Sequence, residues 1–278
     1  MQSQLDIRHC KKTALQQLKG RWGMPVLVSF VSGALIYAVC LGLYPWGSIF
    51  SIARGAELSG MAYVGMFARI MIMIIAVVLL VPVVGFALVK FHLKLFSTTE
   101  KLKFTDYTAG FAQFGRAIRT YLWHAFLIIV WEMAVLVPGG IVIAILGVVS
   151  YATGNYAFVG LAAAAVYITL FAVVIRSSLA YSQMFFIVAD NDKIGVIDSM
   201  TRSVQLTKGS KGRLFLLELS FIGWYLLSYI TLGIGLLWVI PYYQQTLTNA
   251  YKFLDHAFSQ NESAEIADSS CAQDGMQE

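Results

Sequence analysis

Six apolar runs, separated by charged or turn-forming stretches, set the terms for this chain. A helix rises about 1.5 Å per residue, so crossing a bilayer takes roughly 20 mostly apolar residues. The runs are Met24 to Leu43, Ile70 to Val89, Tyr121 to Leu146, Tyr156 to Val188 with Arg176 inside it, Leu214 to Leu232, and Gly235 to Leu254. The last is the weakest. Only Leu236 to Tyr243 is strongly apolar before Gln244, Gln245, Thr248 and Asn249 follow, so it either crosses or dips in and returns. Composition agrees: 58% of residues are hydrophobic and 13% charged, where a soluble domain carries about a quarter charged. The reading is an all-α polytopic membrane protein built as a six-helix bundle. Disorder, a secreted disulfide scaffold and most soluble enzymes are excluded. Residues 1–23 read as a cytoplasmic amphipathic segment, 24–258 as the transmembrane domain, and 259–278 as a disordered acidic cytoplasmic tail.

Basic residues predict the orientation. The N-terminal segment holds Arg8, Lys11, Lys12, Lys19 and Arg21; the loop after the second run holds Lys90, Lys94, Lys101, Lys103, Arg116 and Arg119; the loop after the fourth holds Lys193, Arg202, Lys208, Lys211 and Arg213. Lys and Arg accumulate on the cytoplasmic side, so six crossings would place both termini inside a bacterial cytoplasmic membrane. The first 22 residues are too long and too mixed in charge for a signal n-region, so the first run is expected to stay as an anchor. The net charge of +5 is then topology-setting charge, and no nucleic-acid partner is expected. Cys10, Cys40 and Cys271 lie far apart and form no ligand spacing.

The cytoplasmic segments carry helical periodicity. Phe104, Tyr107, Phe111, Phe114 and Ile118 share one face, as do Ile194, Ile197, Met200 and Val204, with Asp192 before the second stretch and Gly209 after it as caps. Ile7, Leu15, Leu18 and Trp22 form a weaker stripe. Such helices either lie in the lipid interface or pack on the bundle. Gln17 to Arg21, Gln113 to Arg116 and Gln205 to Gly209 each close an amphipathic stretch ahead of a spanning pair. A threefold repeat of interfacial helix plus hairpin accounts for the matched letters, and so does chance.

No HExxH, GxSxG, phosphate loop or dinucleotide fingerprint occurs, so no enzymatic activity, cofactor or metal is expected. His9, His92, His124 and His256 are scattered. Lys208 to Arg213 looks like a phosphate loop but follows no strand, and it reads as an interfacial anchor touching lipid phosphate. The site candidates are the three ionisable residues inside apolar runs. Glu132 lies roughly 16 Å into the third helix, Glu218 about one turn into the fifth, and Arg176 in the inner half of the fourth. Each marks either a solute or proton site or a structural polar contact. Arg176 and Glu218 are expected to pair. Pro138-Gly139-Gly140 and Pro241 predict bends, and Ser29/Gly33 and Gly160/Ala164 predict close helix contacts.

Leu219-Ser220-Phe221-Ile222-Gly223-Trp224, then Thr231-Leu232-Gly233-Ile234-Gly235-Leu236-Leu237-Trp238 and Pro241-Tyr242, resemble the bacterial integral membrane family catalogued as domain of unknown function 975. Ser203 to Arg213, Tyr181 to Asp190 and the Phe104 to Phe114 stretch are similar to the same family. The resemblance implies a polytopic, six-helix bacterial membrane protein and brings no activity. The expected function is a non-enzymatic membrane protein that binds or transports a hydrophobic or cell-envelope solute. The alternative is an accessory or scaffold subunit of a membrane complex, or a membrane-protective, toxin-immunity-like protein. Membrane lipids are the expected partners, with another membrane protein as a second.

Overall fold

The computed structural model describes residues 5–55, 57 and 59–274, with side chains as far as Ser263. Among them the chain is helical throughout, in the order α1 (Ile7–Leu18), α2 (Gly23–Leu43), α3 (Trp46–Ala53), α4 (Gly60–Ser97), α5 (Phe104–Thr108), a 3-10 segment (Ala109–Gln113), α6 (Phe114–Thr153), α7 (Ala157–Tyr181), α8 (Met184–Asp190), α9 (Val196–Thr207), α10 (Lys211–Leu219), α11 (Ile222–Ile230) and α12 (Leu236–Asp274). Five stretches are long and apolar enough to cross a membrane: α2, α4, the run from α5 through α6, α7 with α8, and α10 with α11. The sixth expected span is helical, as the first part of α12, but it is not among these five. The fold is therefore an all-α, multi-pass bundle, in which five of the six expected spans stand out by length and apolar composition.

The helices form two compact units. The first contains residues 8–118 and 221–249. Its core is Leu18, Val28, Val84, Ala87, Leu88, Phe91, Leu95, Leu102 and Tyr107, where α2 and the second half of α4 meet α1 and α5. Several buried polar groups in this unit are paired, although Ser29 Oγ, His92 Nε2 and Asn249 Oδ1 are buried with no hydrogen-bond partner among the described residues. The Ser32 hydroxyl donates to the Val28 carbonyl (2.7 Å) and so accepts from Tyr107 Oη (2.8 Å). Gln245 Nε2 donates to Gln17 Oε1 (2.7 Å), which turns Gln245 Oε1 towards the fully buried His92, 2.9 Å from Nδ1, and assigns the ring proton to that nitrogen. α3 exposes Trp46 and Phe50, with Arg54 over the Phe50 ring. It is a short helix between the first two spans.

The aromatic stripe beginning at Phe104 divides. Tyr107 and Phe111 pack on the core, while Phe104 and Phe114 are exposed. The cause is the 3-10 winding of residues 109–113, with about three residues per turn, which interrupts the 3.6 period that would keep all five on one face. α1 buries Cys10, Ala14 and Leu18 rather than Leu15, which faces out.

The second unit contains residues 5–7, 119–220 and 250–274 among those described. α6 and α7 form an antiparallel hairpin. The His124 and Tyr181 rings lie 6.3 Å apart, and Gly139 stands against Val166, fifteen residues further along on both helices. A Cβ on Gly139 would come within 2.8 Å of Val166 Cγ2. Close helix contact in this hairpin is thus made at Gly139, not at Gly160, which has open space around it; Gly33 in the other unit is likewise open. The apolar window of the α7 span buries no residue and that of α6 buries 6%, against 33% in α4. That outward surface suits hydrocarbon.

The fourth apolar run, Tyr156 to Val188, is not one unbroken helix but changes its winding at Ser182 and Gln183. α7 stops at Tyr181, and Met184, Phe186, Ile187 and Val188 are buried in α8, where they build protein core. α9 turns its small polar residues to the protein, which fits the interfacial alternative rather than packing of its apolar stripe on the bundle. Ser199, Ser203, Leu206 and Thr207 are buried, while Ile197 and Val204 face outward. An apolar side that faces away from the protein is the arrangement of a helix lying in the interface. The tail expected to be disordered from Ser259 is helical as far as Asp274. The packed part of α12 already supplies the helix nucleus, so each added residue needs only the cheaper propagation step. Residues 275–278 and the Cys271 side chain lie outside the described set.

Candidate functional site

Where α7 ends, its last carbonyls have no helical partner. Buried Ser203 of α9 donates its hydroxyl to Ala180 O at 2.8 Å, and Thr207 reaches the same oxygen at 3.4 Å. The small polar residues of α9 therefore face the protein because they dock on a helix terminus. Beyond Thr207 the chain reverses at Gly209, whose φ of +80° is the left-handed conformation glycine adopts readily. That turn starts α10 at Lys211.

Between these pieces lies a partly open pocket of about 160 Å³, lined by Trp131 of α6, Val173, Arg176, Ser177, Ala180 and Tyr181 of α7, Val204 of α9, and Lys211. Trp131 Nε1 donates to Tyr181 Oη at 3.2 Å. The Ser177 hydroxyl donates back to Val173 O at 2.8 Å. Arg176 and Lys211 are close enough for their charges to repel. No carboxylate lines the pocket.

The three intramembrane candidates are not brought together. Arg176 lines the pocket, but no ion pair or hydrogen bond joins it to Glu218 among the described residues, although α7 and α10 pack together. The expected pair assumed a straight helix reaching Asp190. With α7 ending at Tyr181, Arg176 lies only about 7.5 Å from that end. It shares its pocket with Lys211, seven residues and about 10 Å before Glu218 along α10. Glu132 is half-buried and lines neither this pocket nor a second one around Arg21 and Lys101. Adjacent helix residues point about 100° apart, so Trp131 in the pocket turns Glu132 away from it. An unpaired cation at mid-bilayer costs on the order of 2.5–3.5 kcal/mol on insertion scales. The position of Arg176 near the end of α7 lowers that cost.

α12 is fastened by charge to α8 and α9. Lys252 Nζ lies 2.8 Å from both Asp190 oxygens, and Tyr251 Oη donates to Asp190 at 3.0 Å. Arg202 reaches Asp255 at 2.8 Å, and this bond holds the guanidinium above its ordinary pKa. Phe186 stacks on Tyr251, ring centres 5.5 Å apart. No group of His, Cys, Asp or Glu among the described residues has the arrangement of a metal site.

Attention to charge in apolar runs found Arg176 but passed over Trp131, Tyr181 and Ser177. The available signal was the spacing Arg176, Ser177, Ala180, Tyr181, which places polar groups on one side of a helix about to end.

These features define a multi-pass, all-helical membrane protein with a small cationic pocket near one end of its spans. The chain belongs to the family described as Protein of unknown function (DUF975), which matches residues 1–257. No curated protein and no solved structure matches it.

Proposed function

We propose that this is a non-enzymatic protein of a bacterial cytoplasmic membrane, with both termini inside, that binds or moves a hydrophobic or cell-envelope solute. The observation that carries the reading is the pocket among Trp131, Arg176, Tyr181 and Lys211, whose apolar walls and few polar groups are the usual make-up of a ligand site. Its walls come from two apolar spans, so a solute could enter sideways from lipid. The test is native mass spectrometry of the full chain released from detergent. A retained amphiphile that is lost in Trp131→Ala and Val204→Trp supports the reading; retention unchanged in both refutes it.

A second reading is favoured by one observation, the nearly unburied outer surface of the α6–α7 hairpin. It suits an accessory or membrane-protective subunit that docks this surface on another membrane protein. Bulky polar substitutions at exposed Ile141 and Ile145 would then dissociate a stoichiometric partner while leaving solute retention intact.

A further inference from the structure

Two cations without a counter-charge share one pocket. Arg176 and Lys211 both line it, no Asp or Glu does, and neither has a hydrogen bond or ion pair with any described residue. Like charges lining one pocket repel, and an anion between them relieves that repulsion. A third donor faces the same space. Tyr181 Oη accepts from Trp131, so its own proton is available, whereas the Ser177 proton is taken by Val173 O.

We infer that Arg176, Lys211 and Tyr181 form an anion site for a phosphate group, carried by a lipid headgroup or by a soluble phosphate compound. This names the chemical class of the solute proposed above and rests on that reading. The guanidinium fork matches two phosphate oxygens, and the ammonium supplies a compact charge for a third. The volume of about 160 Å³ is well below the roughly 300–1,000 Å³ of sites that enclose drug-sized ligands. It suits a compact headgroup whose chains stay outside. Trp131, Val173 and Val204 give those chains an apolar exit.

The test uses the full chain in non-ionic detergent, titrated with dioctanoyl phosphatidylglycerol, with dioctanoylglycerol as the same chains without phosphate, and with inorganic phosphate. Native mass spectrometry reads occupancy, and size-exclusion profiles check folding. Phosphatidylglycerol is expected to bind saturably and about tenfold more tightly than dioctanoylglycerol. Arg176→Gln and Lys211→Gln should each weaken it about tenfold, equivalent to about 1.4 kcal/mol, while Arg176→Lys and Lys211→Arg retain most of it. Lys208→Gln, an exposed cation outside the pocket, should change it less than twofold. Displacement of the lipid by millimolar inorganic phosphate assigns the site to soluble phosphates; resistance assigns it to headgroups; both support the anion site. Equal binding of the two lipids, indifference to Arg176→Gln and Lys211→Gln, or an equal loss in Lys208→Gln overturns it. Retention of dioctanoylglycerol that ignores both cations but falls in Trp131→Ala would leave the solute-binding reading standing and remove only the phosphate. Retention of neither lipid sinks both.

Discussion

Gly110 reports whether the aromatic segment after α4 is seated on the bundle. An alanine Cβ there would lie 2.6 Å from Ala87 Cα and 2.8 Å from Ala87 Cβ. Carbon atoms rest at about 3.5–4.0 Å, so one segment must retreat by about 1 Å. The nearest atom belongs to the main chain of α4, and no rotamer change relieves it. Gly110 is absent from the positive-φ glycines, so the effect is steric rather than backbone strain. A retreat would drag Tyr107 and Phe111 from the core and stretch the 2.8 Å bond between Tyr107 and Ser32. Overpacking of this kind costs about 1–3 kcal/mol. At roughly 2–4 °C per kcal/mol, Gly110→Ala should lower the midpoint of a detergent thermostability curve by several degrees. Gly115→Ala is the control: it is helical, has open space, and should be neutral or gain up to about 1 kcal/mol. Adding Ala87→Gly to Gly110→Ala takes the methyl group out of the clash but leaves the α4 main chain where it is, so recovery should be partial. A Gly110→Ala protein as stable as Gly115→Ala would refute the docking of this segment on Ala87.

Other outcomes follow from the same packing. Gln245→Ala orphans the His92 ring proton and the Gln17 carbonyl in a buried site and should cost about 1–3 kcal/mol; His92→Phe added to it should recover part of the loss in the same thermal assay. Arg176→Ala and Glu218→Ala should act additively within about 0.5 kcal/mol, as unconnected sites do; a strong coupling in the double mutant would restore the ion pair that the geometry lacks. Ser203→Ala removes the short bond to the Ala180 carbonyl, which the single Thr207 proton replaces poorly because it lies closer to Ser203 O (2.9 Å) than to Ala180 O (3.4 Å), and should lower the midpoint by the equivalent of about 1 kcal/mol, read in the same way.

Five spans were legible because lipid-facing helices advertise themselves through unbroken hydropathy, and the apolar windows of the α6 and α7 spans bury almost nothing. Gly209 was legible as a stop because a left-handed residue ends α9. What misled was the use of one scale for two environments. Met184 to Val188 are as apolar as a span, yet they fill a protein core. Ser199 and Ser203 look like a solvent face, yet they are fully buried, because Ser203 satisfies a helix end that no sequence window reveals. The pocket was half legible. Arg176 stood out as a charge among apolar residues, but its neighbour Lys211 belongs to another helix 35 positions later and converges on it only through the turn at Gly209.

The same confusion of scales bears on α12 and the number of crossings. Its polar residues Gln245, Thr246, Thr248 and Asn249 are buried and bonded: to Gln17, to Tyr242 O, to Gln244 O and, for Asn249 Nδ2, to Cys10 O. A helix covered by protein needs satisfied hydrogen bonds, not lipid-like composition, so low hydropathy does not exclude it from the membrane. Geometry decides more. Phe221 meets Tyr242 and Tyr243 with ring centres 5.1 and 5.2 Å apart, and a Cβ on Gly235 would come within 2.9 Å of Ser228 Cα. α11 and the start of α12 are thus a tight hairpin, turning at Leu232, whose φ is +52° and whose side chain is 94% exposed. A hairpin returns the chain to the side where Phe221 entered, whether it crosses the bilayer or only dips into it. Native Cys10 is buried and a poor reporter, so the test places cysteines at exposed Lys12, Leu232 and Gln260. Lys12→Cys and Gln260→Cys should both resist an impermeant maleimide in intact cells and react after lysis. Leu232→Cys then counts the crossings: external labelling means that the hairpin spans, and protection until the membrane is opened means that it dips. Gln260→Cys labelled from outside while Lys12→Cys stays protected would refute the hairpin itself.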